Sequence, residues 1–132
     1  MAITDANSIP IALHVASASP HESQLVEETL WRLHIDDVPE RLVGDKAYDS
    51  DLLDAHLAKE YGIELIAPNR INRKKPTQDG RPLRRYKRRW VVERFFSWLF
   101  SFRRTKVRYE VKIDNFLGMV YLAAMCIIFR QL

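Results

Sequence analysis

The sequence predicts an α/β fold. Three observations carry that expectation. Short apolar runs of strand length alternate with stretches whose apolar residues recur at helical spacing. The order reads strand, helix, strand, helix, strand, helix, helix, which is the pattern of a sheet, at least partly parallel, with helices packed on it. The chain has 132 residues, 47% of them hydrophobic and only ten Gly or Pro, enough for one small domain with a core of its own.

The elements follow in order. Asp5-Ala6-Asn7-Ser8 reads as a turn, and Ile9 to Ala16 as the strand after it. Ser19-Pro20-His21-Glu22 reads as a helix start: Ser19 as N-cap, Pro20 at the first helical position, Glu22 closing a capping box. Leu25, Val26, Leu30 and Leu33 then mark one helical face. Arg41 to Gly44 is a brief strand leading into Asp45. Ser50 caps the next helix, which buries Leu53 and Leu57 and stops at Gly62. Ile63 to Ala67 is a strand closed by Pro68. Residues 69–82 form a basic loop. A long helix is expected over about residues 83–103, and a last one over about 115–131.

Charge divides the chain. Residues 1–66 carry four bases and thirteen acids; residues 67–132 carry seventeen bases and four acids. Such asymmetry points to a polyanionic partner for the second half, against the plainer reading of a generically basic surface. The single Cys126 cannot form an internal disulfide, and its apolar surroundings predict a buried thiol in a reducing, cytosolic compartment. No basic region followed by an apolar block opens the chain, so no signal peptide is expected. The apolar run from Phe116 to Phe129 is short for a bilayer and reads as a buried helix, so no membrane is expected. His14, His21, His34 and His56 show no paired ligand spacing, and no Gly-rich phosphate loop is present.

Two segments carry potential chemistry. In GDKAYDS, residues 44–50, Asp45 lies just past a strand end, where a rigid sheet would fix a metal-binding carboxylate. Taken alone it is equally an ordinary turn acid. Asp49 and Asp51 are explained by the helix start, where acids suit the macrodipole. In YKRRWVVERFFSWL, residues 86–99, Glu93 is the one carboxylate among eleven Lys or Arg between Gly80 and Tyr109. Tyr86, Arg89, Glu93 and Phe100 share a helical face, with Trp90, Phe96 and Ser97 alongside. Arg89 and Glu93 at i and i+4 would by themselves make an exposed structural pair worth only about 0.3–0.5 kcal/mol. That pair does not explain why the acid falls on the aromatic face.

These segments resemble DDE transposases of bacterial insertion sequences, of the insertion-sequence four and five type. Asp45-Lys46-Ala47-Tyr48 matches the family's D-x-Gly/Ala-Tyr/Phe motif, and Tyr86, Arg89 and Glu93 match Tyr-x2-Arg-x3-Glu-x6-Lys. The DANSIP, SPHES and YDSDLL segments extend the likeness over nearly the whole chain. The resemblance implies a ribonuclease H-like fold in which two Asp and one Glu bind two Mg²⁺ and catalyse in-line phosphoryl transfer. It implies Asp45 and Glu93 as catalytic acids and metal ligands, and Tyr86 and Arg89 as residues that position DNA. Lys46, Arg88, Arg94, Arg103 and Arg104 are the expected phosphate contacts, giving salt-dependent affinity without sequence reading.

Two departures stand beside the likeness. Phe100 occupies the place of the motif's Lys, and the next bases are Arg103 and Arg104. The match begins inside the family's first hairpin, so Asp5 reads as the hairpin's turn acid and the first catalytic Asp is not in the chain. Residues 1–132 are therefore expected to be the C-terminal part of the catalytic domain, without its first sheet strand, binding Mg²⁺ weakly or not at all and inactive alone. The implied function is DNA transposition by strand cleavage and strand transfer at insertion-element ends. The implied place is the bacterial cytoplasm, associated with the nucleoid, and the active form a homo-oligomer. Three other readings stand: a non-catalytic DNA-binding regulator of a full-length transposase, a frameshift or trans partner that completes an active site with an upstream-frame product, and a structural helical adaptor whose aromatic stripe is merely core and which has no nucleic-acid affinity.

Overall fold

The structure is a computed structural model of the chain and describes residues 1–75, 84 and 87–131. Strand β1 (Ala2–Thr4) pairs antiparallel with β2 (Pro10–Leu13), with Ala2 opposite Leu13 and Ile3 opposite Ala12. The register shifts before Thr4, which lies opposite Pro10, a residue with no N–H to give the ladder. The turn between them is built on Asp5, whose Oδ1 accepts the N–H groups of Asn7 (2.9 Å) and Ile9 (2.8 Å). Asp5 is thus a turn acid, as its sequence context indicated. The far edge of β2 is partly covered: Ala12 bridges Leu33, and the His34 N–H donates to the Ile11 carbonyl at 2.9 Å.

Strand β3 (Arg41–Val43) pairs parallel with β4 (Glu64–Ile66), Leu42 opposite Leu65. Helix α2 (Asp51–Tyr61) makes the crossover, as parallel neighbours require. Its ends were legible in the sequence. Ser50 Oγ accepts the Leu53 N–H, and Gly62 closes the helix in the left-handed region at φ 67°. The expected single sheet is replaced, among the described residues, by two two-stranded sheets.

The first helix differs from expectation. Helix α1 is Leu25–Leu30, preceded by a 3₁₀ turn, Glu22–Gln24, and the capping residue is His21, not Ser19. The His21 ring nitrogen takes the cap by accepting the Ser23 N–H, so the chain turns before Ser19 and Glu22 can form a capping box. The expected helix over 83–103 is also interrupted. A 3₁₀ turn, Lys87–Arg89, leads into α3 (Trp90–Leu99), and α4 (Arg103–Lys106) is a separate turn of helix. Hydroxyls make the break: Ser101 Oγ donates to the Trp98 carbonyl at 2.7 Å, and Thr105 Oγ1 donates to the carbonyls of Leu99 and Phe102. Residues 76–82 of the expected loop and Tyr86 lie outside the described residues.

Helix α5 (Ile113–Phe129) buries Val120, Ala123, Ala124 and Ile127. Cys126 is exposed, correcting the expected buried thiol, because a helix in an apolar run still buries only the stripe that faces its neighbours. Among the described residues no helix is long and apolar enough to cross a membrane.

Two hydrophobic clusters result. One joins Leu13, Phe95, Leu99 and the buried stripe of α5. The other joins Val26, Leu30, Leu57, Ile63 and Leu65. The β1–β2 hairpin separates them. Its period-two alternation sends Ala2 and Leu13 into the first cluster and Ile3 into the second.

Candidate active site

Asp45 stands where the sequence placed it, directly beyond β3. The Gly44 N–H donates to the Ile66 carbonyl at 3.0 Å, extending the parallel ladder to the residue before the acid. Asp45 Oδ1 then accepts the Ala47 N–H at 2.8 Å and caps the turn Lys46–Tyr48. That turn folds the Tyr48 ring back over Gly44: a Cβ on Gly44 would lie 2.7 Å from a ring carbon. Burial raises the Tyr48 phenol above its usual range, with Glu22 and Asp45 adding to the effect, so it stays neutral beside the acid. The Lys46 side chain is exposed.

Glu93 lies on α3 and is mostly exposed, with Arg89 Nη2 at 2.8 Å from its Oε1. Arg88 is exposed, and the Trp90 ring is half exposed beside the pair. Phe100, in the place of the expected Lys, is half exposed and stacks with Phe96 at 5.8 Å.

Arg94 points elsewhere. Its guanidinium lies 4.7 Å from the Trp90 ring centre and 5.0 Å from that of Trp98. Its Nε donates to Ser8 Oγ and its Nη2 to the Asn7 carbonyl, both at 2.8 Å. Ser8 is fully buried at φ 71° and donates to the Val91 carbonyl at 2.7 Å. Arg94 therefore ties α3 to the hairpin turn, a role that sequence spacing did not show. Arg103 donates to the Tyr109 hydroxyl at 3.2 Å, and Arg104 pairs with Glu110 at 3.1 Å.

Asp45 and Glu93 are carried by elements that pack on different clusters. Asp45 is bracketed by Leu42 and Tyr48, which pack on the second cluster, whereas α3 sends Phe95 and Leu99 into the first. Among the described residues no group of three or more His, Cys, Asp or Glu side chains could hold a metal ion. Carboxylate oxygens suit Mg²⁺ in kind. Two carboxylates are fewer than the three acids expected of a two-ion site.

The sequence reading missed a group beside Asp45. Asp49, assigned there to the helix start, is almost fully buried and paired with Arg73, which also reaches Asp51. The Arg70 N–H donates to Asp49 Oδ2 at 2.7 Å, while its guanidinium donates to the carbonyls of Lys46 (3.1 Å) and Ala47 (3.0 Å). The available signal was two acids in one turn and two arginines three apart in a loop about twenty residues on. No local pattern connects them.

The arrangement is a carboxylate at the end of a parallel strand, a second on a basic helix, and arginines between loop and turn. Comparison with known proteins identifies the family. The model of the transposase DDE domain family matches residues 1–129, and the chain belongs to that family. A Burkholderia cepacia protein assigned as the transposase for insertion sequence element IS402 is 31% identical over 120 residues, covering 85% of this chain and 53% of its own length. A Brucella ovis protein assigned as the transposase for element IS6501 is 35% identical over 92 residues, covering 67% of each chain. The chain thus spans between half and two thirds of the length of these relatives. No solved structure matches it at a significant level.

Proposed function

We propose that the chain is the part of an insertion-sequence transposase that carries two of three catalytic acids, Asp45 and Glu93. The complete enzyme would cleave DNA strands and transfer them at the element's ends. One observation supports this most. Strand β1, through Ile3, and strand β3, through Leu42, both feed the second cluster, yet among the described residues each pairs only with its own partner strand. A further strand between them would join the two sheets into one, of the ribonuclease H-like kind, and could bring a third acid beside Asp45. The proposed cofactor of that completed site is Mg²⁺. Of the proposed DNA contacts, Lys46 and Arg88 are exposed. Tyr86 and Arg89 would position the strand near Glu93. Arg94, Arg103 and Arg104 would reach phosphate only by sharing or leaving their present partners.

The test is a nicking and strand-transfer assay with Mg²⁺ or Mn²⁺. Residues 1–132 alone should be inactive. Activity should appear with the upstream segment supplied, by fusion or in trans, and vanish with Asp45→Asn or Glu93→Gln. Robust cutting by residues 1–132 alone, abolished by Glu93→Gln, would refute the incomplete-site reading. The exposed bases also favour a second reading, a non-catalytic DNA-binding regulator of a full-length transposase. That reading requires DNA binding that survives both substitutions and no activity in any combination. The active assembly is proposed to be a homo-oligomer acting at the nucleoid.

A further inference from the structure

The basic loop after β4 divides its cations between two jobs. The Arg73 side chain is mostly covered and the exposed Arg70 gives its guanidinium to backbone carbonyls, while Lys74 and Lys75 are exposed. Asp49 has a side chain only 6% exposed and receives both the Arg70 backbone N–H and the Arg73 guanidinium. The Arg73 Nε also donates to the Lys75 carbonyl at 2.8 Å, while Arg70 holds the carbonyls of Lys46 and Ala47. Bonds therefore run without interruption from Lys46, beside Asp45, through Arg70, Asp49 and Arg73 to Lys75. Arg73 is only 15% exposed and is held by two carboxylates, which suits it poorly for a phosphate. A guanidinium can bridge two carboxylates with its planar fork, where an ammonium acts as a single point charge.

We infer that Asp49, Arg70 and Arg73 form a clasp that positions the basic loop, and that Lys46, Lys74 and Lys75 are the phosphate contacts it presents beside Asp45. The inference rests on the DNA-binding reading above and assigns its contacts. It makes a prediction of unusual sign. Asp49→Asn removes a negative charge from a DNA-binding face, so charge alone predicts tighter binding. Loss of the clasp predicts weaker binding.

The experiment uses residues 1–132 and has two arms, with circular dichroism confirming that each variant is folded. Hydrogen exchange of the amides at 69–75 reports the clasp without any DNA. Exchange there should quicken at least tenfold in Asp49→Asn and in Arg73→Gln, with exchange in α5 unchanged. Fluorescence anisotropy with a labelled 20-base-pair duplex of arbitrary sequence reports binding across 50–200 mM salt. The double variant Lys74→Gln, Lys75→Gln should lower the slope of log affinity against log salt by about 1.8, from ~0.9 per phosphate contact. Asp49→Asn should weaken binding. Unchanged exchange at 69–75, or tighter binding by Asp49→Asn, overturns the clasp. An unchanged slope in the Lys double variant overturns the assignment of contacts. No duplex affinity in the parent chain removes the DNA-binding reading itself and the contacts with it, while the exchange arm still decides the clasp.

Discussion

The tie between α3 and the first hairpin can be broken at one buried oxygen. Ser8 Oγ donates to the Val91 carbonyl at 2.7 Å and accepts from Arg94 Nε at 2.8 Å. A neutral hydrogen bond contributes about 1 kcal/mol and one to a charged group about 1.5–3 kcal/mol. Arg94 can recover some hydration at its partly exposed end, so Ser8→Ala should cost about 2–3 kcal/mol. Ser8 also sits at φ 71°, where a residue with a Cβ bears about 1–2 kcal/mol of steric cost. Glycine is free of that cost but loses more chain entropy on folding. Ser8→Gly should therefore be the milder change, by about 1 kcal/mol, although it removes more atoms. Urea denaturation followed by circular dichroism gives both values. Arg94→Lys completes the set: it keeps the charge, yet an ammonium cannot reproduce the forked bonds to Ser8 Oγ and the Asn7 carbonyl together with the contacts to the Trp90 and Trp98 rings. It should lower stability by at least 1 kcal/mol. The reasoning fails if Ser8→Ala changes stability by less than about 0.5 kcal/mol, if glycine proves no milder than alanine, or if Arg94→Lys is neutral.

Three further outcomes follow from the same geometry. Gly62 lies at φ 67° with nothing within 4 Å of a built Cβ, so Gly62→Ala should cost about 1 kcal/mol through backbone strain alone and Gly62→Asn less, by thermal denaturation. Gly44→Ala would press a Cβ to 2.7 Å from the Tyr48 ring, and should cost about 1–3 kcal/mol in the same measurement while shifting the near-ultraviolet signal of that tyrosine. His14 is buried with its Nδ1 unbonded, and burial first, then Arg32, lowers its pKa from 6.5 despite Glu28 at 3.5 Å. The unfolded chain then binds the proton more readily, so this part of the stability is full above 6.5 and falls as the pH drops toward the depressed value. Urea midpoints should decline between pH 7.5 and 5 more steeply for the parent than for His14→Gln.

What was legible in the sequence was local. Ser50 and Gly62 bound α2 by chemistry that acts within a turn, and Asp5 declares its turn through the next few residues. Asp45 and Glu93 fell on the elements expected, since the strand end and the helical period are short-range signals. What was hidden depends on distant partners. Glu27 read as a plain helix acid, although it accepts from the Tyr61 hydroxyl 34 residues on. The break after α3 contains no Gly or Pro and is made by Ser101 and Thr105 hydroxyls. Arg94 read as one more base in a basic helix, although its partner Ser8 lies 86 residues away. Asp49 read as a helix-start acid because Arg73 is 24 residues on.

The two acids are set in place by different cores, and the hairpin is the part those cores share. Ala2 and Leu13 key β1–β2 to the cluster that holds α3, while Ile3 keys it to the cluster that holds β3. Among the described residues no hydrogen-bonded ladder joins β1 to β3, and such a ladder would fix their mutual register. Phosphoryl transfer is sensitive to errors of about 1 Å in placement. On the proposed reading of an incomplete site, the isolated chain should then lack more than one ligand. If the deficit were only a carboxylate, a small carboxylate such as acetate at high concentration would restore measurable nicking. If the deficit is also register, acetate should fail while a segment able to pair with β1 and β3 succeeds, and still fails when its acid is replaced. Successful rescue by acetate, dependent on Glu93, would show that the two sheets already hold Asp45 and Glu93 in working register and would refute the need for a joining strand.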